Sequence, residues 1–359
     1  MGEPAEAGCL RYRADALADW AAGLLTAAGA PGPVAATVAR HLVQADAAGH
    51  RGHGLAMLPT YLAAIDAGAL RPGAEPVLLE DRGAYLVADG RHGFGHHALS
   101  WTLALVIGRA RQYGLGGAHI VRCGHVGRLG GYVLDGAAQS AAVLITVGSL
   151  ADDADALVAP HGGSERLLGT NPIAFGCPGS PPFALDMATS AMAYYDLARL
   201  AAAGIPAPAG VLAGGARDQP AADDDPLGGG VMLPFGGYKG YGLSLLAGVL
   251  SGLAAAGPGR AVAGEQLAVN GVFVLAVDQP RLSSPSLIDV ALDRVRTSEP
   301  ADPGHPVLVP GDRAAAACAR AAEQGLSLPS GLAERLEEWF RRHRLTLPAL
   351  PGGGAGRTR

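Results

Sequence analysis

Between about residues 84 and 296 the chain alternates short β-like runs with amphipathic helical runs, while both of its ends read as helix alone. The β-like runs are Ala84–Ala88, Ala118–Val121, Ala142–Val147, Ile173–Gly176, Phe183–Asp186 and Val272–Val277. Apolar spacing predicts helices over 95–113, 129–140, 190–203, 240–256 and 284–296. Such alternation buries a sheet against helices, so the middle belongs to the α/β (α+β) class. At the front, Leu17, Trp20, Ala21 and Leu24, then Val34, Val38, Leu42 and Ala45, recur at helical intervals on either side of Pro31-Gly32-Pro33. This predicts a helical hairpin over 11–29 and 33–48, followed by a helix from Leu55 to Ala67 that stops at Gly68. Helices are expected again over 312–324 and 330–343. The shared texture of the ends predicts one discontinuous helical domain, 1–75 with 305–345, around an α/β domain at 76–304, with 346–359 as a disordered tail.

The 54 glycines and 26 prolines are well above the ordinary share of roughly 12%, so turns are many; even so, 49% hydrophobic residues leave ample mass for a core. A net charge of -5 repels nucleic acid and anionic membrane, which makes a small molecule the expected partner. Four scattered cysteines without a CxxC pair suggest reduced thiols and a cytoplasmic protein, in keeping with a front end that lacks a signal-peptide pattern. The run Tyr241–Gly257 is uncharged, but it is short of spanning length and carries four glycines and two serines, so it reads as a buried helix. Of the 27 basic residues, one is lysine: Lys239. Where arginine serves every other cationic purpose, a retained ammonium suggests a site that a planar guanidinium does not suit.

Four clusters carry candidate chemistry. AGHRGHGLAMLPTY (48–61) sets His50 and His53 among glycines, and imidazoles titrate near neutrality as acid–base groups do. In HIVRCGHVGRLGGY (119–132) a strand runs into His125, and a helix opens through Gly127, Gly130 and Gly131, a turn that exposes backbone N–H groups. Its G-x-x-G-x-x-G-G spacing is not the dinucleotide fingerprint. Cys123 and His125, two apart on an extended chain, do not face each other as a nucleophile pair would. In the third stretch, 159–190, Thr170, Asn171 and Asp186 interrupt apolar strands, and Thr189-Ser190 offers a cap to the next helix. VMLPFGGYKGYGLSLL (231–246) places Lys239 at the glycine-led start of an apolar helix, a place to hold phosphate. No H-x-x-x-H pair with an adjacent Glu falls on an expected helix, so a zinc hydrolase has no ligand set and no metal is expected.

In order and spacing these clusters, with APHGG, LGTNPIAF, LDMATS, VNGVFVLAVD and VPGDR, resemble the malate/L-lactate/sulfolactate dehydrogenase-like family of nicotinamide-dependent oxidoreductases, over about residues 10–340. That family also holds ureidoglycolate dehydrogenase, 2,3-diketogulonate reductase and piperideine-2-carboxylate reductase. The resemblance implies a non-Rossmann, mixed and largely antiparallel sheet with flanking helices, a helical domain from both chain ends, and a homodimer. It implies NAD or NADP as cofactor, and hydride transfer at the carbon alpha to a carboxylate in a 2-oxo or 2-hydroxy acid or a cyclic imino acid. By the same resemblance His125 and His53 are the candidate proton carriers, and Asp186 joins them in the catalytic set. Ser149, Asp186, Met187, Ala188, Lys239 and Gly311-Asp312-Arg313 match cofactor contacts, and Thr170 and Asn171 match a loop lining the substrate.

The chain also departs from the pattern. Gly52 replaces the serine before His53, Met57 replaces a common arginine, Gly148 replaces an asparagine, and Tyr195-Asp196 stands for a Gly-Lys pair. Losing an arginine that grips a carboxylate costs about 1.5–3 kcal/mol, which disfavours simple lactate or malate and points to an unusual or larger substrate. Arg128, in the His125 turn, is the candidate replacement. The alternative is a noncatalytic homologue that keeps the fold and dimer.

Overall fold

The computed structural model describes residues 10–148, 156–215, 226–255, 270–281, 285–329 and 331–350. They divide into two compact units, one reaching Gly73 and resuming at Asp312, the other running from Ala74 to Gly311. In chain order the first unit opens with β1 (Arg11–Tyr12), α1 (Ala14–Ala27), α2 (Gly32–Ala47) and α3 (Leu58–Asp66). The second holds β2 (Val77–Asp81), β3 (Tyr85–Asp89), α4 (Gly95–Tyr113), β4 (Leu115–Cys123), α5 (Gly130–Ala137), β5 (Ala141–Gly148), β6 (Ile173–Cys177), β7 (Phe183–Met187), α6 (Tyr194–Ala202), β8 (Leu212–Ala213), β9 (Val231–Met232), α7 (Tyr238–Ala255), β10 (Asn270–Asp278) and α8 (Pro285–Arg296). The chain then returns to the first unit as α9 (Asp312–Gln324), β11 (Leu326–Ser327) and α10 (Leu332–Arg342).

In the first unit α1 and α2 form an antiparallel hairpin that buries Leu17, Leu24 and Leu25 with Val34, Val38 and Leu42. Gly29, at φ +96°, turns the chain between them. The chain ends join through β1 and β11, which pair antiparallel, and through Trp339, whose indole N–H donates to Asp66 Oδ2 at 2.9 Å. Of the stretch expected as a tail, residues from 351 lie outside the described set; Pro348 accepts a 3.0 Å hydrogen bond from the Trp20 indole.

In the second unit seven described strands form one sheet in the order β2-β3-β4-β10-β5-β6-β7. Every neighbouring pair is antiparallel except β3 with β4. That one parallel pair needs a crossover, and the 19-residue α4 supplies it. β10 sits at the centre because GVFVLAV, residues 271–277, has no polar face, so both sides of the strand tolerate burial. Leu86, Ile120, Ile145, Val272 and Val274 pack with Leu99, Val106 and Val133 in the main core. The opposite sheet surface carries α7, where Thr146 Oγ1 meets Ser251 Oγ at 2.9 Å and the His119 ring nitrogen Nε2 lies 2.7 Å from the Leu250 carbonyl. A satellite core of Val158, Leu168, Leu197, Leu212 and Met232 forms around the β8–β9 ladder.

Candidate active site

The turn from Gly124 to Leu129 links β4 to α5 and carries His125, which is half-buried. Gly127 takes φ +69°, and the fully buried Tyr132 closes the turn by donating its hydroxyl to the Val126 carbonyl at 2.6 Å. The turn is tied to the sheet by Asp186 on β7, whose Oδ2 accepts the Gly130 N–H at 2.7 Å. A carboxylate there also meets the positive end of α5. Arg128 is only 9% exposed, and its Nε lies 3.7 Å from the same oxygen. A Cβ on Gly130 would fall on the Arg128 Nη2 and 3.0 Å from Asp186 Oδ2, so position 130 must stay bare for this node to close.

The remaining candidates of this unit follow from a second set of bonds. Thr189 was expected as a helix cap, but α6 begins only at Tyr194 and has no side-chain cap. Thr189 instead donates its hydroxyl to the carbonyls of Thr170 (2.9 Å) and Asn171 (3.1 Å), because the strand end is needed to hold that loop. The Phe235 N–H donates to the Thr189 carbonyl at 3.1 Å and Ala191 N–H to Leu233 at 2.7 Å, which ties the half-buried Met187-Ala188 segment to the approach to α7. Asn171, 2% exposed and at φ +36°, gives its Nδ2 to both the Ser244 carbonyl and hydroxyl of α7 at 3.2 Å. Its Oδ1 is buried without a hydrogen bond and occupies the space a Cβ on Gly148 would need, which accounts for glycine at 148. Lys239 is the second residue of α7, exposed, behind Gly236 and Gly237 at φ +56° and +64°. His161 of the APHGG turn lies against Gly237 and meets the Tyr238 ring at 6.3 Å. The structure thus joins the His125 turn, Asp186, Thr170, Asn171 and the Lys239 helix start within one hydrogen-bonded frame. Gly311, at φ +105°, packs against the backbone of Ala184. Ser149 lies outside the described residues.

His53 and Met57 belong to the first unit, each half-buried and each the last residue of its own short turn of 3₁₀ helix, Arg51–His53 and Leu55–Met57. Asp312 and Arg313 open α9 there. The same unit holds a residue the sequence reading passed over. Asp46, in the last turn of α2, is 9% exposed and accepts the Leu55 N–H at 2.9 Å, with its Oδ1 facing Gly54 where a side chain would clash. Burial pushes its carboxyl up to about 7, against the opposing pull of the Leu55 hydrogen bond and the Arg51 charge. A carboxylate at a helix C-terminus opposes the macrodipole, and that misplacement was the available signal.

The malate/L-lactate dehydrogenase family matches the chain over residues 12–337. An L-lactate dehydrogenase of Cupriavidus necator is 38% identical over 280 residues, 75% of this chain and 77% of that one. An L-sulfolactate dehydrogenase of Methanothermobacter thermautotrophicus is 31% identical over 87% of this chain and 91% of that one. Among solved structures, a dehydrogenase from Sinorhizobium meliloti superposes with a TM-score of 0.80 at 31% identity, covering 92% of this chain and 98% of that one. A delta1-piperideine-2-carboxylate reductase from Pseudomonas syringae gives 0.77 at 28% identity, covering 92% and 99%.

Proposed function

The chain belongs to the malate/L-lactate dehydrogenase family, and on that premise we propose that it is an oxidoreductase using NADH or NADPH to transfer hydride to or from the carbon alpha to a carboxylate. The substrate class is a 2-oxo or 2-hydroxy acid or a cyclic imino acid. It is an unusual or larger member of that class, because Met57 offers an apolar thioether where an arginine would grip the carboxylate of a small substrate. The observation that carries the reading is the Asp186 carboxylate, which fixes the His125 turn through the Gly130 N–H. An acid–base group works when its turn is held still, and this one is held from a different strand.

The nicotinamide cofactor, when bound, supplies the hydride. The residues suit it: paired left-handed glycines leave the start of α7 open, and an exposed lysine there suits a phosphate. Lys239, Asp186, Met187, Ala188, Ser149, Gly311, Asp312 and Arg313 are the proposed holding residues. His125 exchanges the proton with the substrate oxygen or nitrogen; His53 is the alternative carrier. Thr170 and Asn171 line the substrate, and Arg128 faces its carboxylate while paired with Asp186.

We place the reaction in the cytoplasm, consistent with the free thiols of Cys123, Cys177 and Cys318. The working form is a homodimer, since α7 turns Tyr238, Leu246 and Val249 outward and α8 turns Leu287 and Val290 outward, all exposed. Fluorescence titration with NADH and NADPH tests the cofactor assignment: saturable binding that Lys239→Ala weakens about tenfold or more supports it, and no binding at millimolar cofactor overturns it. His125→Gln, with binding retained and kcat lowered about a hundredfold or more, supports the proton assignment; an unimpaired variant transfers that role to His53.

A further inference from the structure

The turn that carries His125 and the α5 start that follows it contain glycines at 124, 127, 130 and 131, and a chain so rich in glycine does not hold a side chain still by itself. One end is fixed by Asp186. The other end rests on α4. Gly95, the first residue of that helix, lies so close to the backbone of Gly124 and His125 that a Cβ would run into the Gly124 carbonyl oxygen and come within 2.6 Å of that of His125. The next residue, His96, is fully buried. Its Nε2 stands 2.6 Å from where a Gly127 Cβ would be, and its ring meets the His125 ring edge to face, centroids 6.1 Å apart at 79°. This lies within the separation at which perpendicular rings attract one another.

The neighbouring His97 turns the other way, its Nε2 2.8 Å from the Glu75 carboxylate. α4 is anchored beyond this point, with Leu99, Leu103 and Val106 seated in the main core. We propose that His96 is a positioning residue whose ring, fixed by α4, backs the Gly127 turn and sets the orientation of the His125 imidazole. The inference rests on the proposed acid–base role of His125.

The test compares His96→Ala, His96→Phe and His125→Gln in the full chain, with kcat expressed per folded molecule by cofactor titration, and with the imidazole ¹⁵N resonances of His125 followed in histidine-labelled protein. Removing the ring lowers kcat about ten- to a hundredfold while KM stays within about threefold, since a misdirected acid–base group loses rate more than binding. His125 resonances shift or broaden in the alanine variant, and His96→Phe, which keeps a flat ring on the same helix position, restores both. The proposal is overturned if His96→Ala keeps kcat within about twofold per folded molecule with unchanged His125 resonances, or if His96→Phe is as impaired as His96→Ala. An active His125→Gln would overturn the underlying acid–base reading instead, and the resonance comparison would still report on the positioning.

Discussion

Replacing Asp46 with asparagine should make the protein more stable at alkaline pH and leave it unchanged in acid. The carboxyl lies in the last turn of α2, buried, with one oxygen on the Leu55 N–H and the other against Gly54. Desolvation raises its pKa from 3.8 to about 7. At roughly 1.4 kcal/mol per pH unit, that difference amounts to about 4 kcal/mol. The sign follows from proton counting. Between 3.8 and about 7 the folded chain keeps a proton that the unfolded chain releases, so stability falls as pH rises through this window and levels off above it. Asparagine imitates the protonated acid: its amide oxygen still accepts from Leu55, and nothing titrates. Urea midpoints for both proteins at about pH 4.5 and about pH 8 should show the variant's advantage growing by about 3 kcal/mol across that interval. An advantage that stays constant within about 0.5 kcal/mol would refute the reasoning, because Asp46 would then ionise as it does in water.

Three further outcomes follow from the geometry. Gly130→Ala should cost about tenfold or more in kcat/KM with an unchanged circular dichroism spectrum, since the new methyl displaces the Arg128 guanidinium and crowds Asp186 Oδ2. His119, which contacts the Tyr85 hydroxyl at Nδ1 and the Leu250 carbonyl at Nε2, has its pKa lowered by burial, partly offset by the Leu250 bond. Its neutral form therefore supports the fold above the ordinary histidine pKa and that support is lost as pH falls below it, opposite in sign to Asp46; thermal melts of wild type against His119→Gln should draw together as pH falls below the ordinary histidine range. Light scattering should give twice the chain mass, and Leu246→Glu with Val290→Glu should shift it toward one chain.

Much of this architecture was legible because long apolar periods are local signals. The helix expected over 95–113 is α4, and the helix expected over 312–324 is α9. Val272–Val277 lies inside the longer central strand β10. What escaped were elements held by partners rather than by their own pattern. β2 is exposed along its whole length, so it shows no alternation between a buried and a solvent face. β1, β8, β9 and β11 are two-residue ladders whose register depends on distant chain. Site residues divide in the same way. Asp186 stood out as an acid in an apolar strand, and Lys239 as the chain's one lysine. The Gly130 N–H that Asp186 accepts is 56 residues away, a pairing that local spacing does not encode. Thr189 misled because capping and loop-tying use the same hydroxyl, and the closeness of His96 to Gly127, 31 residues on, is a tertiary pairing that no local pattern carries.

The most direct test mixes the purified protein with 2-oxo acids and cyclic imines in the presence of NADH or NADPH deuterated at the transferable position of the nicotinamide. Substrate-dependent cofactor oxidation, with deuterium recovered on the carbon next to the product's carboxylate, is the predicted result. Cofactor that binds yet is never oxidised, or a label found on any other carbon, would contradict it.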